Sequence, residues 1–202
     1  MSSLTNKGFT LIEMIVVIAI FGIVTVVVLA NLPVFSDRTS LDLVAQEVAI
    51  HLRGAQVFGG GGRVGSGSGR PTYGIHFEIN NNTFRLFRDN NENLTYDDKD
   101  TCKGANFLDQ DCELEQNYTI SSGFFIPAIF YKSGSLQPAD SLDALFRRPK
   151  LEPVFRLGED PDATTAELVQ IIIKSRRRDE CRAVNLYNNG QIAVTPSDCD
   201  TP

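Results

Sequence analysis

The 202 residues carry a formal charge of −6, a pI of about 4.9 and no tryptophan, and the aromatic share of 9% is mostly phenylalanine. An acidic chain without a stacking platform is a poor match for a nucleic-acid partner of the domain as a whole, and its acidity chiefly confers solubility. Once the first 32 residues are set aside as leader and apolar helix, roughly 170 remain, enough for one hydrophobic core of ordinary size.

A short polar leader ends in Lys7-Gly8, and an apolar run follows over residues 9–32, broken by a single carboxylate, Glu13. At 1.5 Å per residue this run makes a helix of about 36 Å, long enough to cross a hydrocarbon core of roughly 30 Å with some tilt. A secretory signal peptide has a shorter apolar region and a small-residue cleavage site after it, so this helix is expected to stay in the mature protein. Lys7 before the helix favours an N-terminus on the cytoplasmic side and a C-terminal bulk outside. A charged side chain costs on the order of 2.5–3.5 kcal/mol at the centre of a membrane helix and less near its end. Glu13 therefore either sits close enough to the interface to stay hydrated or meets a positive group on another copy of the chain.

Gly8-Phe9-Thr10-Leu11-Ile12-Glu13 at the head of a long apolar helix resembles the N-terminus of the type IV pilin and type II secretion pseudopilin family. The resemblance implies cleavage by a prepilin peptidase after Gly8, methylation of the new N-terminal Phe9, and a Glu13 that pairs with the N-terminal amine of a neighbouring subunit. It implies partners to match: other pilin or pseudopilin subunits, the peptidase, and the assembly machinery of the inner membrane. It covers only about the first thirty residues.

Pro33 cannot donate inside a helix and is expected to kink or end this one, with helix resuming at Ser36 or Asp37, both good N-caps. From there Leu41, Val44, Val48, Leu52 and Ala55 recur at helical spacing, with Asp42, Gln46, Glu47 and Arg53 on other faces. The glycine-rich stretch 59–69 is expected to end the helix and form a surface loop. It lacks the GxxxxGK[ST] pattern of a phosphate-binding loop. The expected organisation is therefore a leader at 1–8, a membrane and assembly helix at 9–32, its amphipathic continuation at 33–58, and an extracytoplasmic head at 59–202.

Beyond the loop the hydrophobic period changes to two. Residues 73–79 and 83–88 alternate around Asn80-Asn81-Asn82, which predicts a hairpin. Further strands are expected at 118–121, 124–131, 154–157 and 167–175, and a closing hairpin at 181–187 and 191–195 around Asn188-Asn189-Gly190. Residues 136–153, with three prolines, read as loop or a short helical turn. The predicted class is α+β, a long N-terminal helix packed on a mostly antiparallel head. The closing Arg182-Ala183-Val184 and Asn189-Gly190-Gln191-Ile192 also resemble the minor-pilin branch that includes secretion pseudopilin H and the FimT type.

Cys102, Cys112, Cys181 and Cys199 all fall in the part expected outside the cytoplasm, where disulfides persist. Three connectivities are possible, and proximity favours Cys102–Cys112 with Cys181–Cys199. Zinc would need closer ligand pairs, and only His51 and His76 are available to complete a set.

Between residues 89 and 100, oxygen-bearing side chains occupy positions one, three, five, seven, nine and twelve: Asp89, Asn91, Asn93, Thr95, Asp97 and Asp100. That is the ligand spacing of a twelve-residue calcium loop. Leu94 stands where such a loop has glycine, the last ligand is Asp rather than Glu, and a strand leads in. The alternative is an acidic, solvated loop; a bound calcium would be structural.

Arg147-Arg148-Pro149-Lys150 and Arg176-Arg177-Arg178 are basic clusters. FimT-type relatives include DNA-binding members, but Asp179 and Glu180 follow the second cluster directly and weaken any phosphate attraction. No G-x-S-x-G or H-E-x-x-H occurs, and His76, between Ile75 and Phe77 in an alternating strand, is expected to face solvent. The leading expectation is a non-enzymatic structural subunit, most like a minor component, of a type IV pilus or a secretion pseudopilus. The alternative is a single-pass membrane protein with an extracytoplasmic domain that binds calcium or DNA.

Overall fold

The computed structural model describes residues 9–61, 72–97, 113–147, 152–158 and 166–199. It comprises two compact units, Met1–Thr39 and Ser40–Pro202.

Among the described residues there is one helix, α1, Leu11–Gly61. It starts on a reciprocal cap. Thr10 Oγ1 accepts the Glu13 N–H at 3.3 Å, and Glu13 Oε2 accepts the Thr10 N–H at 2.8 Å and its hydroxyl at 2.9 Å. Pro33 does not end the helix, and Ser36 and Asp37 lie inside it instead of capping a second helix. A proline interrupts one rung of the hydrogen-bond ladder, and the turns on either side here carry the helix past it. α1 ends at Gly61, inside the glycine-rich stretch and three residues beyond the expected boundary at 58; the rest of that stretch, 62–69, lies outside the described residues.

In the second unit, α1 buries Leu41, Val44, Val48, Leu52 and Ala55, the predicted stripe, together with Ala45 and Ala49. These residues join one apolar core shared with two antiparallel sheets. The first sheet has the order β3-β2-β1-β7-β8, built from β1 Thr72–Glu78, β2 Thr83–Asp89, β3 Leu114–Thr119, β7 Ser141–Phe146 and β8 Pro153–Leu157. The second has the order β11-β10-β9-β5-β6, from β5 Ile129–Ser133, β6 Ser135–Ala139, β9 Leu168–Ser175, β10 Cys181–Tyr187 and β11 Ile192–Ser197; β4, Phe124–Phe125, pairs with β9. Both predicted hairpins are present, with Asn80 (φ 59°) and Gly190 (φ 84°) supplying the left-handed backbone their turns require.

The largest departure is at 136–153, expected to be irregular. It contains β6 and β7, and β7 lies between β1 and β8 with Leu142 through Phe146 buried. The prolines did not prevent this, because Pro138 falls on the edge strand β6 and Pro153 is the first residue of the edge strand β8. Those are the positions where a missing N–H costs no ladder bond. The stretch expected as one strand at 124–131 is two, β4 and β5, and β3 begins four residues before its predicted start at 118.

Two glycines permit close packing. A Cβ on Gly59 would lie 2.3 Å from the Phe146 carbonyl oxygen, and one on Gly74 would lie 2.6 Å from the Phe87 ring. The final turn of α1 therefore packs directly on the end of β7, and Phe87 stays fully buried beside β1.

Candidate functional site

Three regions hold the predicted site residues: the head of α1, the end of β2 and the closing hairpin with its cysteines.

At the head of α1, Phe9 is 85% exposed and the large apolar side chains from Leu11 to Leu29 stand exposed on every side of the helix. No part of the most apolar stretch is buried in the chain itself. A soluble monomer rarely shows so large an unbroken apolar surface, and a helix apolar all round is suited to lipid or to other helices. Glu13 is the exception, and its carboxylate is held by Thr10. The T-x-x-E pattern at 10–13 is the sequence signal of this cap. Gly8 lies outside the described residues.

At the end of β2, Asp89 is buried, 2% exposed. Its Oδ2 accepts the Leu94 N–H at 3.1 Å, and its Oδ1 is buried with no hydrogen-bond partner. Asn91 Oδ1 accepts the Asn93 N–H at 3.0 Å, and Asn93 Oδ1 accepts the Thr95 N–H at 2.9 Å. The Asn91 and Asn93 side-chain amides both donate to Asp97 Oδ2, at 2.7 and 3.0 Å. Leu94 stands at φ 62°, so the position that lacked the expected glycine takes the left-handed conformation nonetheless. Asp100 lies outside the described residues.

Sequence reasoning missed Glu113, just before β3 and also 2% exposed. It accepts the backbone N–H of Asn90 at 3.3 Å and of Asp97 at 3.0 Å, and so clamps the two ends of the loop together. Burial raises the pKa of both Asp89 and Glu113, backbone hydrogen bonds oppose the rise, and neighbouring carboxylates add to it. No spacing rule links 113 to 89; the pairing of β2 with β3 does.

His76 does not face solvent. Its Nδ1 lies 2.6 Å from Asp143 Oδ1, with the two side chains 16% and 12% exposed, and its ring lies 5.0 Å from that of Tyr96. Asp143 Oδ2 accepts the Tyr96 N–H at 3.0 Å. The pairing of β1 with β7 sets His76 opposite Asp143, and with β7 read as loop, this contact was out of reach of the sequence. Among the described residues, no three His, Cys, Asp or Glu side chains converge as a metal-binding group.

Cys181 and Cys199 form a disulfide, with Cα atoms 5.3 Å apart. It packs with Ile172, Ala183, Ala128 and Phe130 in a small second core. Cys102 and Cys112 lie outside the described residues. Arg182, beside the disulfide, pairs with Asp42 of α1. Arg53 and Gln56 donate to the carbonyls of Ile192 and Gly190, each at 3.3 Å, so the closing hairpin is bound to the helix. Of the basic clusters, Arg176 stacks over the Phe125 ring at 4.8 Å, while residues 148–150 lie outside the described set.

Residues 4–29 match the prokaryotic N-terminal methylation motif. The chain thus carries the signature of type IV pilins and pseudopilins at the head of an apolar helix, on an α+β pilin-like architecture. No curated protein and no solved structure matches the chain. The motif supports processing by a prepilin peptidase, membrane anchoring, and a family role that is structural, not enzymatic.

Proposed function

We propose that this chain is a minor pilin or pseudopilin: cut between Gly8 and Phe9, methylated at Phe9, and built through its N-terminal helix into a type IV pilus or a type II secretion pseudopilus. The observation that carries this reading is an apolar helix surface left exposed on every side by the chain's own fold, headed by the methylation motif. Before assembly the helix is held in the cytoplasmic membrane as a single pass with the β-rich unit outside, where the Cys181–Cys199 disulfide persists. During assembly the same surface exchanges lipid for the helices of other subunits. Glu13 is held by Thr10 in the single subunit. In the filament it turns to the amine of a neighbouring Phe9, a charge pair that gains strength in the low dielectric between helices and sets axial register.

Intact mass of the mature protein tests the processing step. The expected result is loss of residues 1–8 with one methyl added; an intact Met1 or a cut after residue 30 overturns the reading. For assembly, Glu13→Ala is expected to insert and be processed normally while entering filaments poorly. Wild-type incorporation of that variant would remove the register role.

A further inference from the structure

We propose that the loop following β2 is a calcium site, with Asp89 Oδ1 and Asp97 as its carboxylate ligands and with Asn91, Asn93 and the backbone around Thr95 completing an oxygen shell. The proposal stands independently of the N-terminal motif.

The carrying observation is the orphaned oxygen. Asp89 is 2% exposed; its Oδ2 accepts the Leu94 N–H, the backbone N–H groups of Glu92 and Asn93 also act on the carboxylate, and its Oδ1 is buried with no hydrogen bond of ordinary geometry. Native folds rarely leave a buried carboxylate oxygen unpaired, because its desolvation then goes uncompensated. The carboxylates nearby make this harder to bear. Glu113 is equally buried and bonded to the loop's two ends, and Asp97 adds a further negative group. No cationic side chain is paired with Asp89, Glu113 or Asp97 among the described residues. A divalent cation supplies the missing charge.

The arrangement suits calcium. The side chains at positions three and five of the loop already converge on the one at position nine, since Asn91 and Asn93 both donate to Asp97 Oδ2. Asn91 Oδ1 and Asn93 Oδ1 each accept one backbone N–H, which leaves a second lone pair on each amide oxygen for a cation, and Asp97, now held by the two amides, is free to turn onto the same ion. Calcium takes six to eight oxygens, amide and backbone carbonyls among them, so two carboxylates with neutral oxygens form an adequate set where three acids do not converge. Magnesium demands a tighter octahedron of fixed short distances, which a loop of alternating side chains does not provide. Glu113 acts as a positioning residue, holding the backbone of Asn90 and Asp97.

The test uses the full-length protein in detergent. Tyr96 lies in the loop, so Tb³⁺ bound there is expected to luminesce on tyrosine excitation and to be displaced by Ca²⁺ but not by equal Mg²⁺. Ca²⁺ is also expected to raise the thermal midpoint above that in EDTA. Asp89→Asn keeps an oxygen for the Leu94 N–H and removes the charge. It is expected to weaken Ca²⁺ binding more than about tenfold and to abolish the calcium-dependent rise, with far-UV circular dichroism unchanged. Asp97→Asn, at a half-buried loop position, is the second variant and decides the matter if Asp89→Asn fails to fold. Absence of Ca²⁺ uptake at millimolar concentration by calorimetry overturns the proposal, as does undiminished uptake by the variants.

Discussion

Gly59 of α1 lies directly against Phe146 of β7: a Cβ on the glycine would come within 2.3 Å of the Phe146 carbonyl oxygen and 2.8 Å of its carbonyl carbon and Cβ. The end of the helix and the end of a central strand thus meet backbone to backbone. Gly59→Ala is expected to destabilise the domain by about 1–3 kcal/mol, because neither backbone can give way cheaply. Gly54 is the control. Nothing lies within 4 Å of a Cβ there, so Gly54→Ala should stabilise the helix by about 0.5–1 kcal/mol. Urea unfolding of both variants gives the two signs; an undestabilised Gly59→Ala would mean that the helix end and β7 can move apart at little cost.

Thr10 shares its cap with Glu13, so the two residues should separate in assays of assembly. Thr10→Val keeps the side chain's shape and removes the hydroxyl that bonds Glu13. The loss should cost about 1 kcal/mol locally in the first turn. It also leaves Glu13 held by the Thr10 backbone N–H alone, so Thr10→Val should incorporate into filaments at least as well as wild type, whereas Glu13→Ala should not. Immunoblots of sheared filament fractions compare the two. Equal failure of both would place the cap itself, and not the charge, at the centre of assembly.

The disulfide closes a loop of 18 residues across the last hairpin. Cys181→Ser with Cys199→Ser, or mild reduction, should lower unfolding stability by about 3 kcal/mol on the chain-entropy account. The hairpin should remain paired, because Arg182, Arg53 and Gln56 bind it to α1 independently. Equilibrium denaturation measures the first effect and amide exchange in β10 and β11 the second.

His51 provides a pH signature. Its ring lies 3.8 Å from that of Tyr118 and 5.4 Å from that of Phe84, and burial lowers its pKa while Glu47 partly offsets this. In the unfolded chain the histidine takes up its proton near pH 6.5. The folded state resists until the pH falls further, so between those two points the unfolded state binds more protons and stability drops as pH drops. The loss should begin as pH falls through about 6.5 and cease once the pH is below the lowered folded value. His51→Phe, which keeps the stack, should flatten that part of the curve in denaturation midpoints measured across pH.

Much of this molecule is local and so was legible in its sequence. The apolar run with Glu13, the stripe at Leu41, Val44, Val48, Leu52 and Ala55, the two asparagine-bearing turns and the Cys181–Cys199 pair each depend on spacing within a few residues or on proximity in the chain. Helical and strand periods, turn residues and a short disulfide loop impose themselves before any distant contact forms. Tertiary structure decided the remainder. Whether Pro138 and Pro153 break a strand depends on whether that strand is at an edge, which is a property of the sheet. His76 meets Asp143 across the β1–β7 pairing, and Glu113 reaches the Asp89 loop through the β2–β3 pairing, from 67 and 24 positions away. Such contacts are set by strand order and register, which no local period encodes, and the buried carboxylates that define the proposed calcium site owe their desolvation to that packing.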